Sequence, residues 1–218
     1  MCIRDRLTTL SCSYDNKPQY ALEGSVFIAG AAIQWLRDSL KIIDKASDTE
    51  KISQKIPDLE NIYVVPAFAG LGAPYWDMYS RGAIFGLTRD SGRGEIIKAT
   101  LESLAYQTKD VIDAMEEDSN IKINSLKVDG GACMNNYLMQ FQSDILNCEV
   151  TRPKIVESTA MGAGYLAGLK SDIWDISKIK SNQEIDSTFR PQIKDERRNI
   201  LYDGWRDAVK RTFNWVKK

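Results

Sequence analysis

The fold of this chain is constrained most by a regular alternation of short apolar runs and longer amphipathic segments, joined by turns that contain glycine. The clearest helical segment is Glu95–Met115, where apolar residues recur at helical spacing. That stripe consists of Ile97, Leu101, Leu104, Thr108, Val111 and Met115. Strand-like apolar runs lie on both sides of it, at Ile62–Phe68 and Leu126–Val128. Strands that alternate with helices in this way predict an α/β domain.

The remaining elements are predicted by the same periodicities. Further strands are expected at Leu7–Tyr14, Gln19–Phe27, Gly82–Thr88 and Glu149–Arg152, the first two around a turn at Asp15–Pro18. Further helices are expected at Gly30–Leu40, Asn135–Leu146, Ser158–Leu169 and roughly Asp195–Val216, with a short one inside the polar connection Lys41–Asn61. The glycines of Ser158–Leu169 make it a poor helix by itself, which predicts close packing of its backbone against a neighbour.

Composition excludes several classes of function. The chain has 218 residues, enough for one large domain, with 29 basic and 30 acidic side chains well interspersed, so no electrostatic footprint for nucleic acid is present. It contains no histidine, which removes serine–histidine and cysteine–histidine catalysis, histidine-bound zinc and any histidine base. No apolar run approaches the roughly 20 residues of a membrane span. The four scattered cysteines indicate reduced thiols and a cytoplasmic protein.

The first six residues differ in character from the rest of the chain. Met1–Arg6 contains no apolar segment and no small-residue cleavage site, so it is not a signal peptide. We interpret residues 1–6 as a non-native leader and residues 7–218 as the domain.

Two glycine-containing turns are candidates for phosphate binding, although the chain has neither a P-loop nor a Gly-x-Gly-x-x-Gly motif. Val128–Ala132 runs from a strand through a glycine pair into a helix, whose N-terminus suits an anion. Gly30 opens another helix, which carries the polar Gln34 on an otherwise apolar face. An ordinary tight turn and a glutamine that caps a core cavity are the structural alternatives.

Two further segments are ambiguous. The loop Gly70–Asp77 and the nearby Arg81 either line a cleft or form a packed surface loop. The basic C-terminal end, which includes Lys210 and Arg211, is interpreted as a solvated helix face.

Five segments together resemble the FGGY family of carbohydrate kinases, and in particular its members that phosphorylate glycerol. They are Glu23–Asp38 (EGSVFIAGAAIQWLRD), Pro66–Gly86 (PAFAGLGAPYWDMYSRGAIFG), Ala99–Gln107 (ATLESLAYQ), Val128–Asp144 (VDGGACMNNYLMQFQSD) and Thr159–Gly168. The match extends in order from Leu7 to about Trp215, without large gaps. The strings EGSVFIAGAAIQWLRD and GAPYWD are specific to the glycerol-phosphorylating members.

The resemblance implies an actin-like, ribonuclease-H-type ATPase fold, of which this chain is the C-terminal, nucleotide-binding domain. It implies that Gly30, Gln34, Gly131 and Asn135 contact ATP, with Gly131 near the α-phosphate and Asn135 near the adenine or ribose. ATP and Mg²⁺ are the implied cofactors, and the γ-phosphoryl group passes to glycerol, giving glycerol 3-phosphate. No catalytic or metal-binding residue is assigned here, because the family's general-base Asp and its glycerol site lie in the N-terminal half. Asp129 belongs to the nucleotide turn.

The chain alone is therefore expected to be inactive, and the full-length protein is expected to be a homo-oligomer without a membrane span or a nucleic-acid partner. Two alternatives stay open from the sequence: a kinase for another sugar or polyol, and a nucleotide-binding module without catalysis.

Overall fold

The computed structural model describes residues 7–11, 17–181 and 183–217. Its strands are β1 Leu7–Ser11, β2 Gln19–Glu23, β3 Tyr63–Val65, β4 Ala83–Phe85, β5 Ser125–Lys127, β6 Glu149–Pro153 and β7 Ile185–Phe189. Its α-helices are α1 Gly30–Asp38, α2 Asp48–Ser53, α3 Arg93–Ser119, α4 Asn136–Leu146, α5 Ser158–Lys170, α6 Ile176–Ser181 and α7 Asp195–Lys210. A 3₁₀ turn, Gly131–Met134, precedes α4. The predicted leader and residues 12–16, which include the end of the first predicted strand, lie outside the described residues.

The described strands form small sheets in which each strand pairs with a strand next to it in sequence order. β1 pairs with β2, and β3 with β4, both antiparallel. β5 pairs in parallel with β6, whose other edge takes β7 antiparallel. The parallel pair requires a crossover between its strands, which the 3₁₀ turn and α4 supply. The expected α/β architecture is therefore confirmed, and the glycine turn lies directly after β5.

Helix α3 is the centre of the molecule and is buried on more than its predicted stripe. It packs against α1, α2, α4 and β3. Leu101 and Leu104 contribute to one apolar cluster with α1 and α4, as the periodicity predicted. Tyr106 lies in a second cluster, where its ring stacks on that of Trp205 at 5.3 Å between centroids. Burial on both sides fixes the helix in place, so residues on either face have defined positions.

Asp110 joins α3 to α7 and to the loop after β3. Its carboxylate accepts hydrogen bonds from the Tyr202 hydroxyl at 2.6 Å and from the Trp205 indole N–H at 2.8 Å. Tyr75 of the Gly70–Asp77 loop also hydrogen-bonds this carboxylate, and burial raises the pKa of Asp110 to about 6. These bonds satisfy a carboxylate that would be costly to bury alone.

The structure corrects several predicted boundaries. The terminal helix ends at Lys210 rather than Val216, and the backbone N–H of Val216 donates instead to the Tyr79 carbonyl. Helix α6 and strand β7 lie in a polar stretch to which the sequence assigned no element. Three predicted strands, Gln19–Phe27, Ile62–Phe68 and Gly82–Thr88, are shorter than expected; Ile62–Phe68, for example, contains only the three residues of β3. Of the helices in the described part of the chain, none combines the length and apolarity required to cross a bilayer.

The packing expected for the glycines of α5 is wrong at two positions. A Cβ added to Gly162 or Gly164 would meet no atom within 4 Å. Only Gly168 is close to a neighbour, since a Cβ there would overlap the Trp174 ring. The composition of α5 is therefore not explained by contacts within the described residues.

Candidate functional site

The predicted nucleotide residues Gly30, Gln34, Gly131 and Asn135 line one cavity of about 320 Å³. About a hundred residues separate the first pair from the second in sequence. The rest of the wall consists of Ile33, Arg37, Ala46, Ser47, Thr49, Glu50, Leu101, Leu104, Ala132, Met134 and Leu138. The cavity is thus formed by α1, the start of α2 with the residues before it, one face of α3, and the glycine turn with α4. Its apolar side chains offer a surface for a flat ring, and its few polar groups lie around them.

The glycine pair has two different roles. Gly130 has a φ of +76°, a conformation open to glycine and costly for other residues, and its N–H donates to the Val156 carbonyl. Gly131 is not in the left-handed region; it is exposed, and a Cβ there would meet no atom within 4 Å. Gly130 therefore makes the turn, while Gly131 leaves the space beside the cavity free.

The buried Arg152 of β6 holds the 3₁₀ turn in place by hydrogen bonds. Its guanidinium donates to the Cys133 carbonyl at 2.7 Å and to the Asp186 carboxylate at 2.8 Å. The thiol of Cys133 donates in turn to the Gly130 carbonyl at 3.0 Å. This network ties the 3₁₀ turn to the sheet, so the backbone that borders the cavity is positioned by β6 and β7.

Asn135 is the N-cap of α4. Its side-chain carbonyl accepts the N–H of Leu138 at 2.9 Å, and its amide nitrogen donates to the Thr49 hydroxyl at 3.1 Å. The cap satisfies one of the free N–H groups at the start of the helix. The predicted site residue is therefore also structural, and it connects α4 to α2.

Gln34 and Gly30 lie on the opposite wall, on α1. Gln34 is exposed, and its side chain makes no hydrogen bond to any described residue. Gly30 is the first residue of α1, and a Cβ there would meet nothing within 4 Å. The Gln34 amide is thus available to a ligand, as expected if it does not cap the core.

The segment 46–50 is a part of the wall that the sequence did not indicate. Ala46, Ser47, Thr49 and Glu50 line the cavity, although the sequence assigned them only to a polar connection. Thr49 is 1% exposed, which is unusual for a threonine in such a segment. No motif marks these residues; only the packing of α2 on α3 and α4 brings them to the site.

Acidic groups are sparse around the cavity. Glu50 is the one carboxylate among the lining residues, and Asp129 is not among them. Across the part of the chain that the structure describes, no group of three or more Cys, Asp or Glu side chains is placed to hold a metal ion.

A buried carboxylate lies directly behind the cavity wall. Glu102 follows the lining residue Leu101 on α3, and its carboxylate accepts the Tyr137 hydroxyl at 2.5 Å. Burial raises the pKa of Glu102 to about 7, against the opposing effects of the Tyr137 hydrogen bond and of the Lys98 charge. Lys98 is itself buried, and it donates to the carbonyls of Ile56 and Pro57.

The other two ambiguous segments do not contribute to this cavity. The Gly70–Asp77 loop lines a separate, much smaller one, of about 10 Å³. Arg81 donates to the carbonyls of Met78 and Ser80, which is the behaviour of a packed surface loop. At the C-terminal end, Lys210 is exposed and pairs with Asp207.

Comparison with known proteins places these features in a family. The model for the FGGY family of carbohydrate kinases, C-terminal domain, matches residues 6–171. A glycerol kinase from Alkaliphilus oremlandii is 59% identical over 213 residues, which are 97% of this chain and 42% of that protein. The chain therefore spans less than half the length of this relative.

Solved structures agree in fold. The structure of Plasmodium falciparum glycerol kinase with ADP matches with a TM-score of 0.88 and 37% identity, over 95% of this chain and 42% of that one. A ligand-bound xylulose kinase from Lactobacillus acidophilus matches with a TM-score of 0.77 and 22% identity, over 96% of this chain and 43% of that one. The second likeness shows the fold alone.

Proposed function

This chain belongs to the FGGY family of carbohydrate kinases, and from that premise we propose that it is the nucleotide-binding part of a glycerol kinase. The proposed reaction transfers the γ-phosphoryl group of MgATP to glycerol, giving glycerol 3-phosphate. Four residues carry the proposal, because Gly30, Gln34, Gly131 and Asn135 come from distant segments and line one cavity.

The cavity has the properties that nucleotide binding requires. Its volume of about 320 Å³ is at the lower end of the range for small-molecule sites, which are mostly apolar with a few polar groups. Ile33, Leu101 and Leu104 offer apolar contact to a base. The free space beside Gly131 allows phosphate oxygens to approach the backbone.

Glycerol is favoured as the acceptor by sequence similarity. The chain is 59% identical to a protein named glycerol kinase and 22% identical to the xylulose kinase of similar fold. Residues that bind the acceptor are expected in the part of the relatives that this chain does not match.

We infer that the chain alone does not catalyse phosphoryl transfer. The reaction depends on a carboxylate that accepts the hydroxyl proton and on groups that stabilise charge around the phosphates. Of the described residues that line the cavity, only Glu50 bears a carboxylate. Magnesium is expected to arrive as MgATP, because Mg²⁺ at kinase sites is held largely by substrate phosphates and water. A cytoplasmic location and a homo-oligomeric full-length protein remain predictions.

Titration of the chain with MgADP, followed by nuclear magnetic resonance, tests the proposal. We expect shifts concentrated at 30–34 and 129–135, with a dissociation constant near millimolar, equivalent to about 4 kcal/mol. Gln34→Ala should weaken binding with little change in melting temperature, because Gln34 is exposed. Gln19→Ala is the matched control, since Gln19 is an exposed glutamine of β2 that does not line the cavity.

Two results would contradict the proposal. Shifts confined to α7, or equal affinities for the parent and Gln34→Ala, would place the site elsewhere. A coupled assay with glycerol and MgATP should detect no turnover, and turnover that follows the purified chain would refute the inferred inactivity.

A further inference from the structure

Thr49 is the one buried polar residue that lines the cavity and also hydrogen-bonds a predicted nucleotide residue. We propose that Thr49 is a positioning residue, which orients the side chain of Asn135 so that Asn135 presents a hydrogen-bond donor to the nucleoside part of the ligand. The inference rests on the proposed nucleotide function of the cavity and identifies the kind of ligand atom that Asn135 meets.

The direction of each hydrogen bond follows from the geometry. The Thr49 hydroxyl has one proton, which it donates to the Ala46 carbonyl at 2.6 Å. Toward Asn135, 3.1 Å away, the hydroxyl can therefore act only as an acceptor. The Asn135 amide nitrogen must face Thr49, and its carbonyl must face the N–H of Leu138, with which it forms the cap.

Two independent contacts thus fix the same orientation of the amide. An asparagine amide has two N–H donors, and Thr49 accepts one of them. Among the described residues, no acceptor is present for the second N–H, and Asn135 lines the cavity. The cap already gives the carbonyl a partner, whereas the second N–H has none, so the unpartnered group that a ligand meets is a donor. Its partner must be an acceptor, such as a ring nitrogen of the base or an oxygen of the ribose.

Thr49 also connects two walls of the site. It lies on α2, while Asn135 precedes α4, and α2 packs against α4. Through its hydrogen bond to Asn135, Thr49 holds the cap of α4 against α2.

Thr49→Val and Thr49→Ser form the decisive pair of variants. Valine keeps the shape of threonine and removes the hydroxyl, whereas serine keeps the hydroxyl. We expect Thr49→Val to weaken MgADP binding by about threefold to tenfold, the value of one ordinary hydrogen bond. Thr49→Ser should bind within about twofold of the parent chain. Melting curves of both variants verify that they are folded.

Two measurements separate positioning from a general structural effect. In the nucleotide-free chain, the side-chain amide protons of Asn135 should change in chemical shift and exchange faster with water in Thr49→Val than in the parent. The second measurement compares the binding of ADP analogues that each lack one acceptor of the purine ring or the ribose. The penalty of Thr49→Val should fall below about twofold for the analogue that lacks the partner of Asn135.

Each outcome decides the inference. Equal affinity of the parent and Thr49→Val, or an equal loss in Thr49→Ser, overturns it while leaving the proposed function intact. A penalty that is the same for every analogue overturns it as well, because Asn135 then does not meet an acceptor. If the parent chain itself does not bind MgADP, the proposed function fails and this inference fails with it.

Discussion

Replacing Glu102 by glutamine is expected to stabilise the chain at alkaline pH and to leave it nearly unchanged at acid pH. Glu102 is 4% exposed, and burial raises its pKa from 4.5 to about 7. Because the folded-state pKa is above the unfolded value, the folded state holds the proton more tightly. Its stabilising contribution is complete below about pH 4.5 and is lost as the pH rises through 7.

The magnitude follows from the shift. A pKa raised from 4.5 to about 7, at about 1.4 kcal/mol per pH unit, corresponds to a loss of roughly 3 kcal/mol of stability between pH 4.5 and pH 7. Glutamine removes this dependence while its carbonyl still accepts the Tyr137 hydroxyl. We therefore expect Glu102→Gln to raise the free energy of unfolding at pH 8 by up to about 3 kcal/mol, with a change below about 1 kcal/mol at pH 4.5.

Urea denaturation at a series of pH values, extrapolated linearly to water, measures this difference. Comparison with the parent at each pH isolates Glu102, since Asp110 titrates in both proteins. Tyr137→Phe is the matched variant of opposite sign. It removes the hydrogen bond that lowers the pKa of Glu102, so it should destabilise the chain more at pH 8 than at pH 4.5. A pH-independent effect of Glu102→Gln would refute the assignment of a buried, titrating carboxylate.

Further substitutions test the turn, the cap and the glycines. Gly131→Val should abolish detectable MgADP binding while the melting temperature stays within a few degrees, because its Cβ meets no protein atom within 4 Å. Asn135→Ala should cost about 1 kcal/mol of unfolding free energy through the lost cap, and Asn135→Ser, which retains a capping oxygen, less than half of that in the same urea assay. Gly86→Ala should destabilise by at least about 2 kcal/mol, since its φ is +81° and the new Cβ would overlap the Asn61 carbonyl oxygen. Gly164→Ala, at an open position of α5, should instead stabilise the chain by up to about 1 kcal/mol. Melting temperatures that change in the same direction in Gly86→Ala and Gly164→Ala would contradict these two predictions.

The fold class could be predicted from the sequence because the apolar patterns of the main helices are local. The stripe of α3 and the position of α4 after the glycine turn follow from such patterns. Strand β7 could not be found in this way, because Ile185–Phe189 has few apolar residues and is a strand through its pairing with β6. Likewise, Glu102 and Asp110 fall on the polar side of the α3 pattern, yet partners from α4 and α7 bury them.

The same difference between local patterns and distant contacts applies to the candidate site. The sequence indicated Gly30, Gln34, Gly131 and Asn135 because they lie in segments that resemble the family. Thr49 was not indicated, since the role proposed for it depends on a hydrogen bond to a residue 86 positions away. The turn itself was located correctly, and of its two glycines Gly130 has the positive φ. The sequence alone does not show which glycine of a pair adopts the positive φ angle.

The hydrogen bond between Trp205 and Asp110 has an optical consequence. The indole of Trp205 is 1% exposed, stacks on Tyr106 and donates to a carboxylate whose pKa is about 6. Gain or loss of a proton on Asp110 changes the electric field across the indole, and with it the energy of the emitting state. The emission maximum of Trp205 should therefore shift with pH in the folded chain, well before unfolding. In a variant that retains Trp205 as its sole tryptophan, the fluorescence of the protein would report the protonation state of Asp110 in the core.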